Sequence, residues 1–341
     1  MRTNPVLIFG LILAIFSGCR TVSQPSATSE KIRLIFDTDA NNELDDQHAL
    51  AYLLFSGNTF DLAGVTVNRT SGGGDITAHY KEAERILKLC NLDGKIPLYK
   101  GASGDFPTIR ETIDSSFFDG SDAVNFIVDQ AQSAGNPKLI ILAVGKLTNV
   151  ALALEKAPPI AGRIKIVWLG SNYPEKGEYN QENDTMAMNY ILHTPVDFEM
   201  VTVRYGKETG TDFVRVTKQE IDQNMPGRGP VTAEPVMGRH NEAFVTFGDY
   251  SVNLFNHADY YGDPPSRALF DMAAAAILKN PAWARTRKIP APVYTPEGWI
   301  EQPDNKRMIT VWESFERDSI IHDFFQTMQH YTLVAPVRLN M

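Results

Sequence analysis

The alternation of short apolar runs with amphipathic segments constrains the fold of this chain more than any other feature. From residue 31 onward, the apolar runs RLIFD and DLAGVTV are each followed by a segment with helical periodicity, LDDQHALAYLLFS and TAHYKEAERILKLC. The same order returns in SDAVNFIVDQAQSA, KLIILAV, LTNVALALEKA and IKIVWLG. Strands this apolar are typical of parallel sheets that are covered on both faces. The sequence therefore predicts an α/β fold with an open, mostly parallel sheet and helices on both faces.

The pattern is less regular beyond residue 172. The polar stretches 173–184 and 206–265 favour loops and small elements. Two more helices are predicted near the end of the chain, in SRALFDMAAAAILKN and DSIIHDFFQTMQHY. We expect residues 31–341 to form one domain, because a chain of this length can bury a single large core.

The first 30 residues have the composition of a targeting segment. Residues 1–18 combine a basic Arg2 with an apolar run that ends at Phe16 and is too short to span a bilayer, which indicates a secretory signal. Cys19 follows two small residues, as in bacterial lipoprotein signals, where this cysteine is lipidated. Residues 19–30 are polar and predict a flexible tether. We expect an exported bacterial lipoprotein, anchored on the periplasmic or cell-surface side; a plain cleaved signal is the alternative.

The charge of the chain excludes some partners. A formal net charge of −9, without a cluster of lysine or arginine, argues against nucleic-acid binding and against an anionic membrane as a partner. Membrane attachment is therefore expected only through the lipid. Cys90 is the single cysteine after Cys19 and stands at an apolar helical position, where an inert core thiol is expected.

The segment LIFDTDANNELDDQHAL places four aspartates within ten residues. Bare carboxylates at such spacing repel one another, so a bound cation is expected among them. The carboxyl ends of parallel strands are also where ligands of such sheets bind. The aspartates are Asp37, Asp39, Asp45 and Asp46, and the ends of later strands carry Asn68, Val144 and Asn172.

Two known motifs explain this acidic segment poorly. A calcium-binding EF-hand loop needs glycine and glutamate where Asn42 and His48 stand. A phosphatase of the haloacid dehalogenase type would use Asp37 as nucleophile, and GDYSVN faintly resembles its later acidic motif. However, Asn41 replaces the expected threonine or valine, and the motif gives no role to the second pair of aspartates.

The chain resembles the inosine- and uridine-preferring nucleoside hydrolase family. The hallmark of that family is a strand ending in DxD, a short loop and a DD pair that opens a helix, as in DTDANNELDD. LIILAVGKLTNVALAL resembles its GPLTN turn, and GVTVN, WLGSN and ALFDMAAAAIL follow in the family's order. The resemblance covers residues 32–281. It implies a Rossmann-like sheet, hydrolysis of the N-glycosidic bond of ribonucleosides to ribose and free base, and a homo-oligomer.

The resemblance also implies a calcium site. Its protein ligands would be Asp39, Asp46, the backbone carbonyl of Val144 and Asp271, and a site that offers only oxygen suits Ca²⁺. Water and two ribose hydroxyls would complete the coordination. Asp39 is implied as the general base that takes a proton from the Ca²⁺-bound water.

Four side chains are implied to bind the substrate: Asp45, Asn68, Asn172 and Asn189. In the family, a ribose-binding glutamate stands two residues before the last of these asparagines, but this chain has Ala187 there. Glu178 and Glu182 in the preceding loop are candidates to replace it. Phe270 stands where many purine-cleaving members have the histidine that protonates the departing base. His240 and His257 are the remaining candidates for that proton donor.

The sequence therefore predicts a nucleoside hydrolase that uses a Ca²⁺-bound water. Because Ala187 and Phe270 change both ends of the expected pocket, a calcium-dependent hydrolase of the same fold acting on another ribosyl or glycosidic substrate is one alternative. A non-catalytic lipoprotein that binds sugars or nucleosides is another.

Overall fold

The computed structural model of the protein describes Met1 and residues 30–337, which contain strands, α-helices and short 3₁₀ helices. The strands are β1 (Ile32–Thr38), β2 (Phe60–Val67), β3 (Leu98–Lys100), β4 (Leu139–Ala143), β5 (Ile164–Ser171), β6 (Asp197–Thr202), β7 (Arg215–Thr217), β8 (Val236–Met237), β9 (Ala243–Phe244), β10 (Ser266–Ala268), β11 (Arg285–Pro290), β12 (Val293–Thr295), β13 (Gly298–Ile300) and β14 (Met308–Glu313).

The α-helices are α1 (Asp45–Phe55), α2 (Ile76–Leu89), α3 (Phe106–Arg110), α4 (Ser121–Ser133), α5 (Thr148–Lys156), α6 (Tyr179–Asn183), α7 (Thr185–His193), α8 (Lys218–Asn224), α9 (Phe247–Asn256), α10 (Phe270–Lys279) and α11 (Arg317–Gln329). The 3₁₀ helices are Pro158–Gly162, Thr211–Phe213 and Pro281–Trp283.

Eight strands form one sheet in the order β11-β14-β6-β5-β4-β1-β2-β3. All neighbours in it are parallel except β11 and β14, which are antiparallel. The prediction of a mostly parallel α/β sheet is therefore confirmed. The strand order reverses between β1 and β4, and such a reversal opens a crevice at the carboxyl ends of the two strands where ligands bind.

Helices cover both faces of the sheet because alternate residues of each strand point to opposite sides. In β1, Leu34 and Phe36 belong to one hydrophobic cluster, which also contains residues of α1, α10 and α11. Ile35 belongs to a second cluster, shared with α4, α5 and α7. These two cores hold the ends of β1 and β4 in fixed positions.

The helices α1 and α10 pack against each other and begin at the same edge of the sheet. Asp45 and Asp46 lie in the first turn of α1, and Asp271 lies in the first turn of α10. Acidic residues in a first turn interact favourably with the helix dipole. The packing of these two helices thus brings three aspartates together.

The structure differs from the sequence prediction beyond residue 172. The predicted helix SRALFDMAAAAILKN begins only at Phe270, because Ser266–Ala268 forms β10, which pairs antiparallel with β7. The same half of the chain also contains α7, β6, α9 and β14, which the polar pattern did not indicate.

The predicted signal segment and the lipidated Cys19 lie outside the described residues and stay predictions. Cys90 is fully buried, as expected for a core thiol. Within residues 30–337, we find no helix that combines the length and the apolar character needed to cross a membrane.

Candidate active site

A cavity of about 460 Å³ opens at the carboxyl ends of β1 and β4, where the strand order reverses. This volume is in the range of small-molecule sites. The predicted site residues that line it are Asp39, Asp45, Asp46, Val144 and Asp271. The structure therefore brings together all four predicted metal ligands and one predicted substrate ligand.

The carboxylates at the floor of the cavity are close together. Oxygen atoms of Asp45, Asp46 and Asp271 all lie within 4.8 Å of one another, and each side chain is buried. This cluster offers oxygen ligands to a metal ion. Asp45, which the sequence assigned to the substrate alone, is as close to the other two carboxylates as a metal ligand would be.

Burial makes this cluster costly without a cation. Burial also affects Asp39, which lines the same cavity. Burial raises the pKa of Asp39 to about 7, and the nearby charges of Asp37 and Glu43 add to this shift. Burial and Glu43 likewise raise the pKa of Asp45 to about 7, while the guanidinium of Arg267 opposes the change.

Burial and the neighbouring carboxylates also raise the pKa of Asp46 and of Asp271 well above the usual range. A divalent cation among these groups would favour their ionised forms. The donor set is all oxygen, so the residues present fit a hard metal ion.

Threonine hydroxyls orient two of the carboxylates. Thr70 donates a hydrogen bond of 2.5 Å to Oδ2 of Asp39, and Thr38 donates to Oδ1 of Asp46. The backbone oxygen of Asp39 accepts a 2.8 Å hydrogen bond from Nδ1 of His79. These contacts fix the loop that follows β1.

Asp37 supports the strand ends and does not line the cavity. Its carboxylate accepts hydrogen bonds from the hydroxyl of Thr66 (2.6 Å) and from the amides of Asn68 and Asn149 (2.8 Å each). Burial raises the pKa of Asp37 to about 6, although these hydrogen bonds oppose the shift. A buried carboxylate with this many donors is unsuited to act as the nucleophile of a phosphatase.

The structure places Asn68 beneath the cavity and not on its wall. Its amide nitrogen is bound to Asp37, and the residue is fully buried. A Cβ atom at Gly145 would lie 2.7 Å from the amide of Asn68, so this close contact requires glycine. Asn68 is therefore hydrogen-bonded to β1 and packs against the turn after β4 in this structure.

The other two predicted asparagines also have protein partners. Asn172 donates to the carbonyl of Lys176 and accepts from the amide of Tyr205. Asn189 donates to the carbonyl of Tyr294 and accepts from its amide, at 2.8 and 3.0 Å. Neither lines the cavity, and the placement of Asn189 in the substrate site needs correction because β12 uses both of its polar groups.

Glu178 and Asn180 line the cavity, and the sequence analysis did not assign Asn180 to the site. The amide of Asn180 donates to the carbonyls of Val144 (2.7 Å) and Leu169 (3.2 Å), and its buried Oδ1 has no hydrogen-bond partner among the described residues. Burial raises the pKa of Glu178 to about 8.

The spacing of Glu178 and Asn180 in the sequence could have identified them as site residues. The resemblance implies a glutamate two residues before an asparagine, and Glu178-Tyr179-Asn180 has that spacing nine residues before Asn189. The alanine at position 187 therefore does not remove a ligand from the site. Ala187 lies in the first turn of α7 and is buried in the core.

Among the described residues, the cavity wall contains aromatic side chains but no histidine. The ring of Phe270 meets the ring of Tyr205 edge-on, with centroids 6.0 Å apart. His240 and His257 stack on each other, with centroids 3.9 Å apart, and each bonds through Nδ1 to Asn253. They do not line the cavity, so the structure does not favour either as the proton donor.

Comparison with known proteins identifies the family of this chain. A sequence model of the inosine-uridine preferring nucleoside hydrolase family matches residues 34–321. The inosine-uridine preferring nucleoside hydrolase of Crithidia fasciculata is 22% identical over 287 residues, which cover 76% of this chain and 83% of that protein. The non-specific ribonucleoside hydrolase RihC of Salmonella paratyphi A is 27% identical over 192 residues, which cover 50% of this chain and 60% of that protein.

A solved structure shows the same fold. The purine-preferring ribonucleoside hydrolase from Gardnerella vaginalis superimposes with a TM-score of 0.64 at 21% identity, covering 87% of this chain and 98% of that chain. The family match spans the strands and helices that carry the aspartate cluster. The chain therefore belongs to the inosine-uridine preferring nucleoside hydrolase family of N-glycosyl hydrolases.

Proposed function

We propose that this protein hydrolyses the N-glycosidic bond of ribonucleosides and releases ribose and a free base. The observation that supports this most directly is one cavity shared by the aspartate cluster and the Glu178–Asn180 pair. Such a cavity presents acidic groups to a cation on one side and polar groups suited to sugar hydroxyls on the other.

The cation that we propose is Ca²⁺. Asp39, Asp46, Asp271 and the carbonyl of Val144 would hold it, and they offer neither sulfur nor imidazole. When bound, the ion would orient the ribose hydroxyls and increase the acidity of a water molecule. The orphaned Oδ1 of Asn180 is a further oxygen that a ligand in the cavity can satisfy.

The protein groups then have separate tasks. Asp39 accepts the proton of the attacking water as general base. Asp45, Glu178 and Asn180 bind the ribose hydroxyls. The buried carboxylates also stabilise the positive charge that develops on the ribose ring as the bond to the base breaks.

A hydrolase of the same fold with another ribosyl or glycosidic substrate is the second candidate. The observation that favours it is the absence of histidine from the cavity wall in the described residues. A non-catalytic binding lipoprotein would retain the cation and the sugar but release no product.

A substrate panel separates these functions. The soluble body, residues 31–341, is incubated with purine and pyrimidine nucleosides and with other ribosides, and free base and reducing sugar are both assayed. Nucleoside hydrolysis gives both products in equal amounts. Binding without any product would support the non-catalytic function and contradict our proposal.

Two matched variants test the roles of the aspartates. Asp39→Asn should abolish hydrolysis, because it removes the base and a metal ligand together. Asp37→Asn should destabilise the fold but retain measurable turnover, since Asp37 does not line the cavity. A phosphatase would show the opposite dependence on these two residues.

We also propose that the protein is an exported, membrane-anchored lipoprotein and that it forms homo-oligomers. The sequence around Cys19 supports the anchor. Cys19→Ser should move the protein from the membrane to the soluble fraction of a bacterial host, because stable anchoring needs lipid chains. Equal soluble fractions of both forms would contradict the anchor, and sedimentation of the soluble body tests the oligomer.

A further inference from the structure

Among the described residues, no imidazole or ammonium group lines the cavity wall to protonate a departing base. In the described residues it contains neither histidine nor lysine, and its basic side chains are Arg215 and Arg267. A neutral nucleoside that loses its base without protonation releases the base as an anion. Some other group must then stabilise that negative charge in the transition state.

The two arginines differ in how many of their donors are used. Each nitrogen of the Arg215 guanidinium has an acceptor: Nε and Nη2 donate to the hydroxyl and the carbonyl of Ser266 at 3.0 Å, and Nη1 donates to the carboxylate of Asp212 at 2.8 Å. Its hydrogen bonds hold β7, β10 and the 3₁₀ helix Thr211–Phe213 together. Arg215 is thus a structural residue of the wall.

Arg267 has unused donors in the same wall. Among the residues that the structure describes, only Nη2 has an acceptor, the carboxylate of Glu43. Nε is buried without a partner, and the side chain as a whole is 14% exposed. Guanidinium donors in a mostly buried position usually have partners, so these unused groups indicate a missing acceptor.

The position of Arg267 suits the base of a nucleoside. The proposed sugar ligands Glu178 and Asn180 come from the segment around α6, whereas Arg267 and Phe270 come from the segment that leads into α10. The guanidinium also lies near the ring of Tyr261, with 6.0 Å between Cζ and the ring centroid. If the α6 segment and the cation hold the ribose, the base would face this second wall.

We propose that Arg267 is a catalytic residue that donates hydrogen bonds to the departing base and stabilises it as an anion. The substrates it favours carry an exocyclic carbonyl oxygen on the carbon next to the glycosidic nitrogen, as O2 does in a pyrimidine. This inference rests on the proposed function. It extends that function by naming a class of base.

The step balances without a protein acid. The bond between C1′ and the base nitrogen breaks, and its electron pair remains on the base, delocalised toward the acceptor that Arg267 contacts. The water oxygen bonds to C1′, and its proton goes to Asp39 and then to solvent, from which the base anion is protonated. Arginine does not act as the acid, because its guanidinium stays protonated at any working pH.

The test compares two leaving groups with two arginine variants. The substrates are uridine, whose base leaves as an anion, and an N-ribosylpyridinium salt, whose pyridine leaves neutral. Arg267→Met should lower kcat/KM for uridine by about 100-fold, the usual effect of losing one such donor. The same variant should leave kcat/KM for the pyridinium riboside unchanged or raise it, since a positive charge next to this cationic substrate is removed. Arg267→Lys keeps the charge and should fall between Arg267→Met and wild type on uridine.

Arg215→Met is the matched control, and a structural role predicts similar losses on both substrates. Retention of the calcium-dependent rise in melting temperature shows that each variant has a folded site. If Arg267→Met lowers kcat/KM equally for both substrates, Arg267 only holds Glu43 and the inference is wrong. It is also wrong if uridine hydrolysis is unchanged. If the wild type cleaves neither substrate, the proposed function fails, and the role of Arg267 fails with it.

Discussion

The amide of Asn180 donates a 2.7 Å hydrogen bond to the backbone carbonyl of Val144. This contact joins α6 to the end of β4, where Val144 also lines the cavity. A carbonyl oxygen has two lone pairs, so one can accept from Asn180 while the other faces a cation. Asn180 thereby orients a proposed metal ligand, and groups that orient metal ligands strongly affect metal affinity.

We predict that Asn180→Ala lowers calcium affinity and kcat/KM by about 10- to 100-fold. Calcium affinity should fall because the hydrogen bond that fixes the Val144 carbonyl is lost, and kcat/KM should fall because a proposed ribose ligand is lost as well. Calcium titration by calorimetry measures the first effect, and a nucleoside assay at saturating calcium measures the second.

Asn189→Ala is the control for that variant. Its side chain bonds only to the backbone of Tyr294, so its loss should lower the melting temperature but leave KM and calcium affinity unchanged. A large rise in KM for Asn189→Ala, with a wild-type value for Asn180→Ala, would reverse our placement of the sugar site.

Removal of the metal should destabilise the protein. The buried aspartates repel one another without a cation, and a ligand that binds only the folded state contributes about 2.7 kcal/mol at a concentration 100 times its Kd. Thermal melts of the soluble body in EDTA and in calcium measure the difference. Identical melts, together with no calcium by elemental analysis, would contradict the metal site.

Asp271→Asn should raise the melting temperature without the metal and lower it when the metal is bound. Burial and the neighbouring carboxylates raise the pKa of Asp271, which means that its ionised form costs free energy in the apo protein. In EDTA, the variant should therefore melt about 2–4 °C above wild type. In calcium, it should melt below wild type because a ligand is missing. A variant less stable than wild type under both conditions would indicate that Asp271 has a different structural role.

The strand and helix that carry the first aspartates were predictable because their signals are local. The apolar run of β1 and the DD pair that opens α1 lie in one short segment, and both elements occur as predicted. Val144 and Asp271 were assigned only through the family resemblance, and the structure places both in the same cavity as the first aspartates.

The second half of the site was harder to predict because its signals are short. Helix α6 has only five residues, and its polar sequence is typical of a loop. Asn189 lies in the more regular α7, which made it the more visible asparagine. Only the tertiary fold shows that Asn180 reaches Val144 and that Asn189 reaches Tyr294.

Stability should also depend on a histidine near the cluster. His48 is fully buried, with Nδ1 2.6 Å from the carbonyl of Leu44 and Nε2 2.7 Å from the hydroxyl of Ser251. A carbonyl only accepts, so Nδ1 carries the proton and Nε2 accepts from Ser251. This arrangement suits the neutral ring, and burial lowers the pKa of His48 to about 4.

The unfolded chain binds a proton at His48 near pH 6.5, whereas the folded protein does so only near pH 4. The contribution of His48 to stability is therefore complete above pH 6.5 and is lost as the pH falls toward 4. The loss amounts to about 3 kcal/mol. Urea unfolding of wild type and His48→Asn at several pH values isolates it, because His79 and the aspartates are common to both proteins. A difference between the two proteins that does not shrink below pH 6 would contradict this assignment.

The last prediction concerns Phe270, which precedes Asp271 at the start of α10 and lines the cavity. Phe270→His would place a titratable donor beside the base. General acid catalysis contributes about 10²- to 10⁴-fold, so inosine hydrolysis should rise selectively relative to a nitrophenyl riboside, which has a good leaving group. Because the imidazole must be protonated to act, the gain should be lost as the pH rises through its pKa. Phe270→Asn adds polarity without a proton donor and should show no gain. Wild-type protein that already cleaves inosine as fast as the nitrophenyl riboside would contradict this prediction. In that case the wild-type site already stabilises a departing purine, and the new histidine would add nothing.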